Sequence, residues 1–166
     1  MNIFHRKKLI KLKEQPMRIY APIKGRLKPL EEVDDMVFSS KMMGDGVAFD
    51  PLEDTLYSPV SGTITIVFPT GHVIGIESKE HMNIILHIGI DTVEMKGDGF
   101  HTMVKVGDVV QAGEMIMKLD LKKIQASYCA TTMLVIENSD EFHLEKKEIG
   151  EIEPGDMIIK AERVST

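Results

Sequence analysis

The sequence predicts an all-β protein: an antiparallel β-sandwich or barrel-like sheet built from hairpins, with one or two short helices. Three observations carry that expectation. Short runs rich in aliphatic and β-branched residues recur along the chain, and clusters such as "PTG", "GDG" and "VGD" separate them. Only two stretches have helical spacing, and both are short. A faint echo joins "APIKGRLKPL" (21–30) to "SPVSGTITIV" (58–67), as expected of a sheet assembled from repeated hairpins.

In chain order, strands are expected in "RIYAPI" (18–23), "GVAFDP" (46–51), "TLYSPVSGTITIVF" (55–68) and "HVIGIES" (72–78). They continue in "MNIILHIGI" (82–90), "GEMIMKL" (113–119), "TMLVIEN" (132–138) and "MIIKAERV" (157–164). "VKVGDVVQAGEMI" (104–116) reads as a strand–turn–strand unit, with Gly107 and Gly113 allowing tight turns. "LEEVDDMVF" (30–38) and "LKKIQASY" (121–128) are the helical candidates.

A chain of 166 residues suits one domain and buries roughly 70% of its unfolded surface, enough to stand without disulfides or structural metal. There is no Trp, so aliphatics and 12 Met must fill the core. A single cysteine, Cys129, has no internal partner, which suits a reducing cytoplasm. No apolar run approaches the roughly 20 residues that span a bilayer, and no signal-peptide pattern opens the chain. A cytoplasmic protein is expected.

The net charge of −6 is uneven: residues 1–13 carry Arg6, Lys7, Lys8, Lys11 and Lys13 with no acid. The rest is therefore more acidic than the whole, which argues against nucleic acid and for basic partner surfaces. Residues 1–17 are expected to be a flexible basic tail, able to make weak contact with anionic lipid, ahead of one domain over 18–166.

Of the six histidines, His5, His81, His101 and His143 fall in polar or charged surroundings and read as surface rings. His72 and His87 differ. His72 opens a β-rich run two residues after Thr70. His87 interrupts an apolar strand. Alternation places Ile84, Leu86, Ile88 and Ile90 on the core face, and Ile85, His87, Gly89 and Asp91 on the other. The ring then has space beside it at Gly89 and a charge at the rim.

A lone strand histidine is often only structural, and the residues leave three chemistries open besides. A phosphohistidine needs one ring nitrogen free and the other tied to an acceptor, with a neighbouring imidazole and hydroxyl to hold phosphoryl oxygens; His87, His72 and Thr70 supply those types. "HIGID" has a zinc-peptidase spacing, but no His-x-His exists to complete the three ligands. A biotinyl or lipoyl carrier needs a lysine at a hairpin tip, and "EMKG" (94–97) and "IMKL" (116–119) match that poorly.

"ILHIGIDTVEMKGDGF" (85–100), "VFSSKMMGDGVAFDP" (37–51), "SPVSGTITIVFPTGHVIGIES" (58–78) and "VKVGDVVQAGEMIMKLD" (104–120) together resemble the glucose-type enzyme IIA components of the bacterial phosphoenolpyruvate-dependent sugar phosphotransferase system. The resemblance runs from about Ile19 to Val164 and makes 18–166 a single IIA domain. It implies a phosphotransferase in which His87 accepts a phosphoryl group from the carrier HPr at Nε2 and passes it to a cysteine of a IIB domain. His72 would hold the phosphoryl group and Thr70 would orient His72. No cofactor is required. Asp35 and Asp91 would meet basic side chains of partners, and Met36, Val37, Phe38, Phe68, Ile85 and Val93 would supply apolar contacts. Gly44, Asp45 and Gly46 would form the accompanying loop.

In enteric relatives the unphosphorylated form also inhibits metabolic enzymes and permeases, and the two histidines can share a zinc ion with a partner carboxylate. With no IIB cysteine site and no IIC span in the sequence, a free-standing IIA is expected. The resemblance also permits a second reading, a non-catalytic regulatory module with the same fold. His81 stands six residues before His87, where many members of that family have glycine.

Overall fold

The alternation of the sequence becomes antiparallel strands in the computed structural model, which describes residues 8–165. In chain order the strands are β1 (Arg18–Tyr20), β2 (Gly25–Pro29), β3 (Asp45–Pro51), β4 (Thr55–Tyr57), β5 (Gly62–Val67), β6 (Val73–Ser78) and β7 (Asn83–Ile90). They continue as β8 (Phe100–Thr102), β9 (Val109–Val110), β10 (Met115–Leu119), β11 (Cys129–Ile136), β12 (Phe142–Lys146), β13 (Gly150–Ile152) and β14 (Met157–Arg163). Two short helices, α1 (Met36–Ser39) and α2 (Leu121–Ser127), lie between them. An eight-stranded sheet has the order β13-β2-β3-β11-β7-β6-β5-β9, and two three-stranded sheets run β1-β14-β12 and β4-β10-β8.

One core cluster draws side chains from all three sheets, among them Ile19, Ile159, Leu56, Ile116, Ile74 and Leu134. The strand β7 runs through the middle of the large sheet and gives that core Ile84, Leu86 and Ile88, each 0% exposed. Burial of each is worth roughly 2 kcal/mol, and a slip of one residue would carry all three out and His87 in. The aliphatic face thus fixes where the histidine points.

Three expectations need correction. Ile90 leaves the core face and packs instead against the second cluster, beside Leu30, Val33, Phe38, Ala48, Met133 and Val135. The alternation breaks because Gly89 takes φ +81 and the pairing with β11 shifts between Cys129 and Thr132. The 104–116 unit is no hairpin: β9 pairs with β5, whereas β10 pairs with β4 and β8. The 30–38 stretch is a 3-10 turn (Leu30–Glu32) and the single turn of α1, separated by extended backbone at Val33 and Asp35. Across that break Leu30, Val33 and Phe38 still reach one cluster.

Part of the tail expected to be flexible is docked. Ile10 N–H donates to the Gly113 carbonyl at 2.9 Å, Met115 N–H donates to the Lys8 carbonyl at 2.8 Å, and Leu9 bridges Glu114. The Ser61 hydroxyl bonds Glu14 at 2.8 Å. Half-buried Ile10 and Leu12 lie over Gly113 and Gly155, so these apolar residues pack on the protein itself. Of the basic tail, 1–17, expected to make weak contact with lipid, residues 1–7 lie outside the described residues. Among the described residues no helix is long and apolar enough to cross a membrane.

Candidate functional site

Two turns bring the histidines together. The strand β5 ends at Val67, and the chain reverses through "FPTG", where Gly71 takes φ +74 and donates its N–H to the Phe68 carbonyl at 2.8 Å. His72 follows at once. Its carbonyl accepts from Ile88 N–H at 2.8 Å, which lays it beside β7, and Val73 pairs with His87. Thr70 sits in the turn, with its hydroxyl 2.8 Å from His72 Nδ1.

The imidazole rings of His72 and His87 have centroids 5.1 Å apart and are nearly perpendicular, at 88°. Nδ1 of His87 donates to the Gly89 carbonyl at 2.9 Å. With both Nδ1 atoms engaged, no hydrogen bond among the described residues occupies Nε2 of either ring. Gly89, read from the sequence as empty space beside the ring, supplies the acceptor that fixes the ring's tautomer. An isolated glycine near a strand end does mark a local break, but not the direction in which its carbonyl turns.

Burial lowers the pKa of His87; the Gly89 carbonyl, Asp35 and Asp91 act upward without offsetting it. Burial also lowers the pKa of His72, and the neighbouring His87 adds to the effect. Both rings are therefore neutral at pH 7, with the lone pair of His87 on Nε2.

Aromatic rings flank the pair. Phe38 lies 4.9 Å from His87 at 57°, and Phe68 meets His72 edge-on at 5.5 Å and 83°. Of the six apolar residues singled out in the sequence, Met36, Val37, Phe68 and Val93 are exposed around the site, whereas Phe38 and Ile85 are buried beneath it. Asp35 caps α1, its carboxylate accepting from Val37 N–H at 3.0 Å, and so aims Met36 and Val37 outward. Asp91 stands exposed in a left-handed turn, φ +61, at the end of β7.

The "GDG" segment differs from the expected loop. Gly44 precedes β3, but Asp45 and Gly46 belong to that strand and pair with Ile136 and Val135. The Asp45 carboxylate faces Lys146 at 2.6 Å and Lys41 at 3.5 Å. Burial works against its ionisation, but the hydrogen bonds from Lys146 and Gly46 N–H and the charges of Lys146 and Lys41 prevail and lower its pKa.

Among the described residues no three His, Cys, Asp or Glu side chains gather to hold a metal. Two imidazoles alone leave a zinc site in need of further ligands. Neither lysine weighed as a carrier arm is at a hairpin tip: Lys118 lies inside β10, and Lys96 closes a 3-10 turn. A groove of about 390 Å³ is lined by residues such as Leu27, Pro29, Val47 and Lys146 and includes neither histidine.

Residues 17–142 match the model of the family described as phosphoenolpyruvate-dependent sugar phosphotransferase system, EIIA 1. The chain is 41% identical over 145 residues to a glucose-specific EIICBA component of Staphylococcus saprophyticus, covering 87% of this chain and 21% of that protein. It is 41% identical over 142 residues to the corresponding protein of Staphylococcus carnosus, covering 85% of this chain and again 21% of the other. The chain thus spans about a fifth of the length of these curated relatives. A solved structure titled glucose permease IIA from Mycoplasma capricolum superposes with a TM-score of 0.82 at 34% identity, covering 90% of this chain and 98% of that one.

Proposed function

The chain belongs to the EIIA 1 family of the phosphoenolpyruvate-dependent sugar phosphotransferase system, a family of phosphocarriers, and we propose that His87 is its acceptor. The observation that carries this reading is the Nδ1–Gly89 bond, which leaves the lone pair of His87 on Nε2, a nitrogen with no hydrogen bond among the described residues. Phospho-HPr approaches over Met36, Val37, Phe68 and Val93. The N–P bond to the HPr histidine breaks as a bond to Nε2 of His87 forms, while Nδ1 keeps its proton on the Gly89 carbonyl.

Thr70 donates its hydroxyl to Nδ1 of His72, which puts the proton of that ring on Nε2. The two rings then play complementary parts: one offers a lone pair, the other an N–H for a phosphoryl oxygen. A IIB cysteine takes the phosphoryl group in the next step. The relatives' names make a glucose-type IIB domain the first candidate. Asp35 and Asp91 face basic partner side chains, and the work takes place in the cytoplasm. The unphosphorylated form also has a face suited to regulated enzymes or permeases, where a partner carboxylate would complete a zinc site with His72 and His87. The same face suits the second reading, a regulatory module that does not pass phosphate on.

The test is incubation with phosphoenolpyruvate, enzyme I and HPr, followed by intact mass. One acid-labile phosphoryl group should appear, vanish in His87→Ala and persist in His72→Gln, which should pass it on poorly. Absence of labelling refutes the carrier role, and labelling without transfer to any IIB domain supports the regulatory module.

A further inference from the structure

We propose that Thr92 is a positioning residue for this reaction: it holds the Gly89 carbonyl against His87 and so keeps the accepting nitrogen free of a proton. Thr92 sits between the exposed Asp91 and Val93, yet it is 0% exposed. Its hydroxyl donates to the Ile88 carbonyl. In an unbroken antiparallel ladder the neighbouring strand satisfies such a carbonyl, but Ile88 faces the β6 side through its N–H bond to the His72 carbonyl, and β6 begins only at Val73, after the turn at Gly71. The side chain of Thr92 takes over the missing partner's part.

Its methyl does a second job. A Cβ on Gly89 would come 2.3 Å from Thr92 Cγ2 and 3.0 Å from the Cys129 carbonyl oxygen. The methyl therefore occupies the volume that a side chain at 89 would fill. The hydroxyl fixes the peptide plane between Ile88 and Gly89, and the methyl and the Cys129 carbonyl wall in Gly89 at φ +81. In that conformation the Gly89 carbonyl meets Nδ1 of His87 at 2.9 Å. At its other end, Ile88 donates its N–H to the His72 carbonyl at 2.8 Å, so the residue anchored by Thr92 is bonded to both histidine segments.

The consequence is chemical. An unrestrained neutral imidazole exchanges its proton between the two nitrogens, and in water the form with the proton on Nε2 predominates. That form has no lone pair at Nε2 to attack phosphorus. Fixing the Gly89 carbonyl selects the other tautomer before the donor arrives. Thr92 touches neither the ring nor the phosphoryl group and acts only through Gly89.

This inference rests on His87 being the acceptor, and the experiment separates the two. Single-turnover phosphorylation by phospho-HPr and ¹⁵N imidazole spectra of the unphosphorylated chain above neutral pH are compared for wild type, Thr92→Val and Thr92→Ser. Valine keeps the shape and removes the hydroxyl. In Thr92→Val, His87 should gain the Nε2-protonated form and the maximal rate should fall roughly tenfold, the scale of one lost hydrogen bond at a buried carbonyl. The phospho-HPr concentration giving half that rate should not change. Thr92→Ser should recover both readouts to within about twofold of wild type, the residue being a bond donor again.

A wild-type tautomer and rate in Thr92→Val overturn the inference. A tenfold loss in Thr92→Ser also overturns it, because the hydroxyl would then be present and still not hold the tautomer or the rate; this holds even if the valine variant does not fold. Failure of the wild type to label at His87 would instead sink the carrier reading.

Discussion

Replacing Phe38 by alanine should loosen the site and change its acid–base behaviour together. Phe38 is 4% exposed and packs both on the His87 ring at 4.9 Å and into the cluster of Leu30, Val33, Ala48, Met133 and Val135. Truncating a buried Phe costs about 3–5 kcal/mol, and the four-residue helix α1 can settle into part of the gap, so about 3 kcal/mol is expected. The same deletion opens His87 to water. Burial is the largest influence on that ring and lowers its pKa, while Gly89, Asp35 and Asp91 raise it. Relieving burial leaves the upward influences, so the pKa of His87 rises.

The sign of the linkage follows. The wild-type His87 titrates below its unfolded value of 6.5, so its favourable contribution is full above that pH and is lost as pH falls through the folded pKa. The slope is at most about 1.4 kcal/mol per pH unit for each such histidine, and His72 acts in the same sense. In Phe38→Ala the share of His87 shrinks, so the stability gap between wild type and variant narrows as pH falls from 8 to 5. Urea unfolding across that range and an NMR titration of the ring measure both effects. An unmoved or lowered His87 midpoint, or a loss below about 1 kcal/mol at pH 8, refutes the reasoning.

Thr70→Val removes the hydroxyl 2.8 Å from His72 Nδ1. Transfer onward to a IIB domain should slow roughly tenfold, while the rate of His87 labelling changes much less. Asp45→Asn should cost about 1–2 kcal/mol at pH 7, because the carboxylate bonded to Lys146 at 2.6 Å is lost. With its folded pKa lowered, Asp45 contributes above its unfolded value and loses that contribution in acid, so wild type and variant should converge as pH falls in urea titrations. The salt dependence of HPr binding should be unchanged, since that charge is engaged internally; a flatter salt dependence would make Asp45 a docking contact. His81 occupies φ +66, and its exposed ring reaches the half-buried Glu77 at 3.4 Å. Release of left-handed strain exceeds glycine's added entropy cost, so His81→Gly should stabilise by about 0.5 kcal/mol in the same assay.

Strands whose aliphatic runs dominate were legible in the sequence, as "NIILHIGI" and "TITIV" show. Others hid their alternation behind charge. In β2, "GRLKP", Leu27 points into the core while Arg26 is exposed, and in β12, "FHLEK", Phe142 is buried between charged neighbours. Both residues of β9 fall in what read as a hairpin, because a local pattern of glycine turns does not say which strand each arm will join.

The site was half visible. Side-chain identity and alternation singled out His87, His72 and Thr70. The backbone carbonyl of Gly89 that sets the tautomer has no residue-type signature, and its direction depends on a bulge in β11, a strand 40 residues further on. The expected loop at Asp45 became strand because Lys146, from β12, reaches back to satisfy the carboxylate. Ion pairs between distant segments leave no local mark.

The most direct test of the central claim is NMR of the chain phosphorylated through enzyme I and HPr, with ¹⁵N-labelled histidine and ³¹P detection. Phosphorus should couple to Nε2 of His87 while Nδ1 of that ring keeps its proton, and the signal should decay when a glucose-type IIB domain is added. A phosphoryl group on Nδ1 of His87, or on His72, would contradict the account.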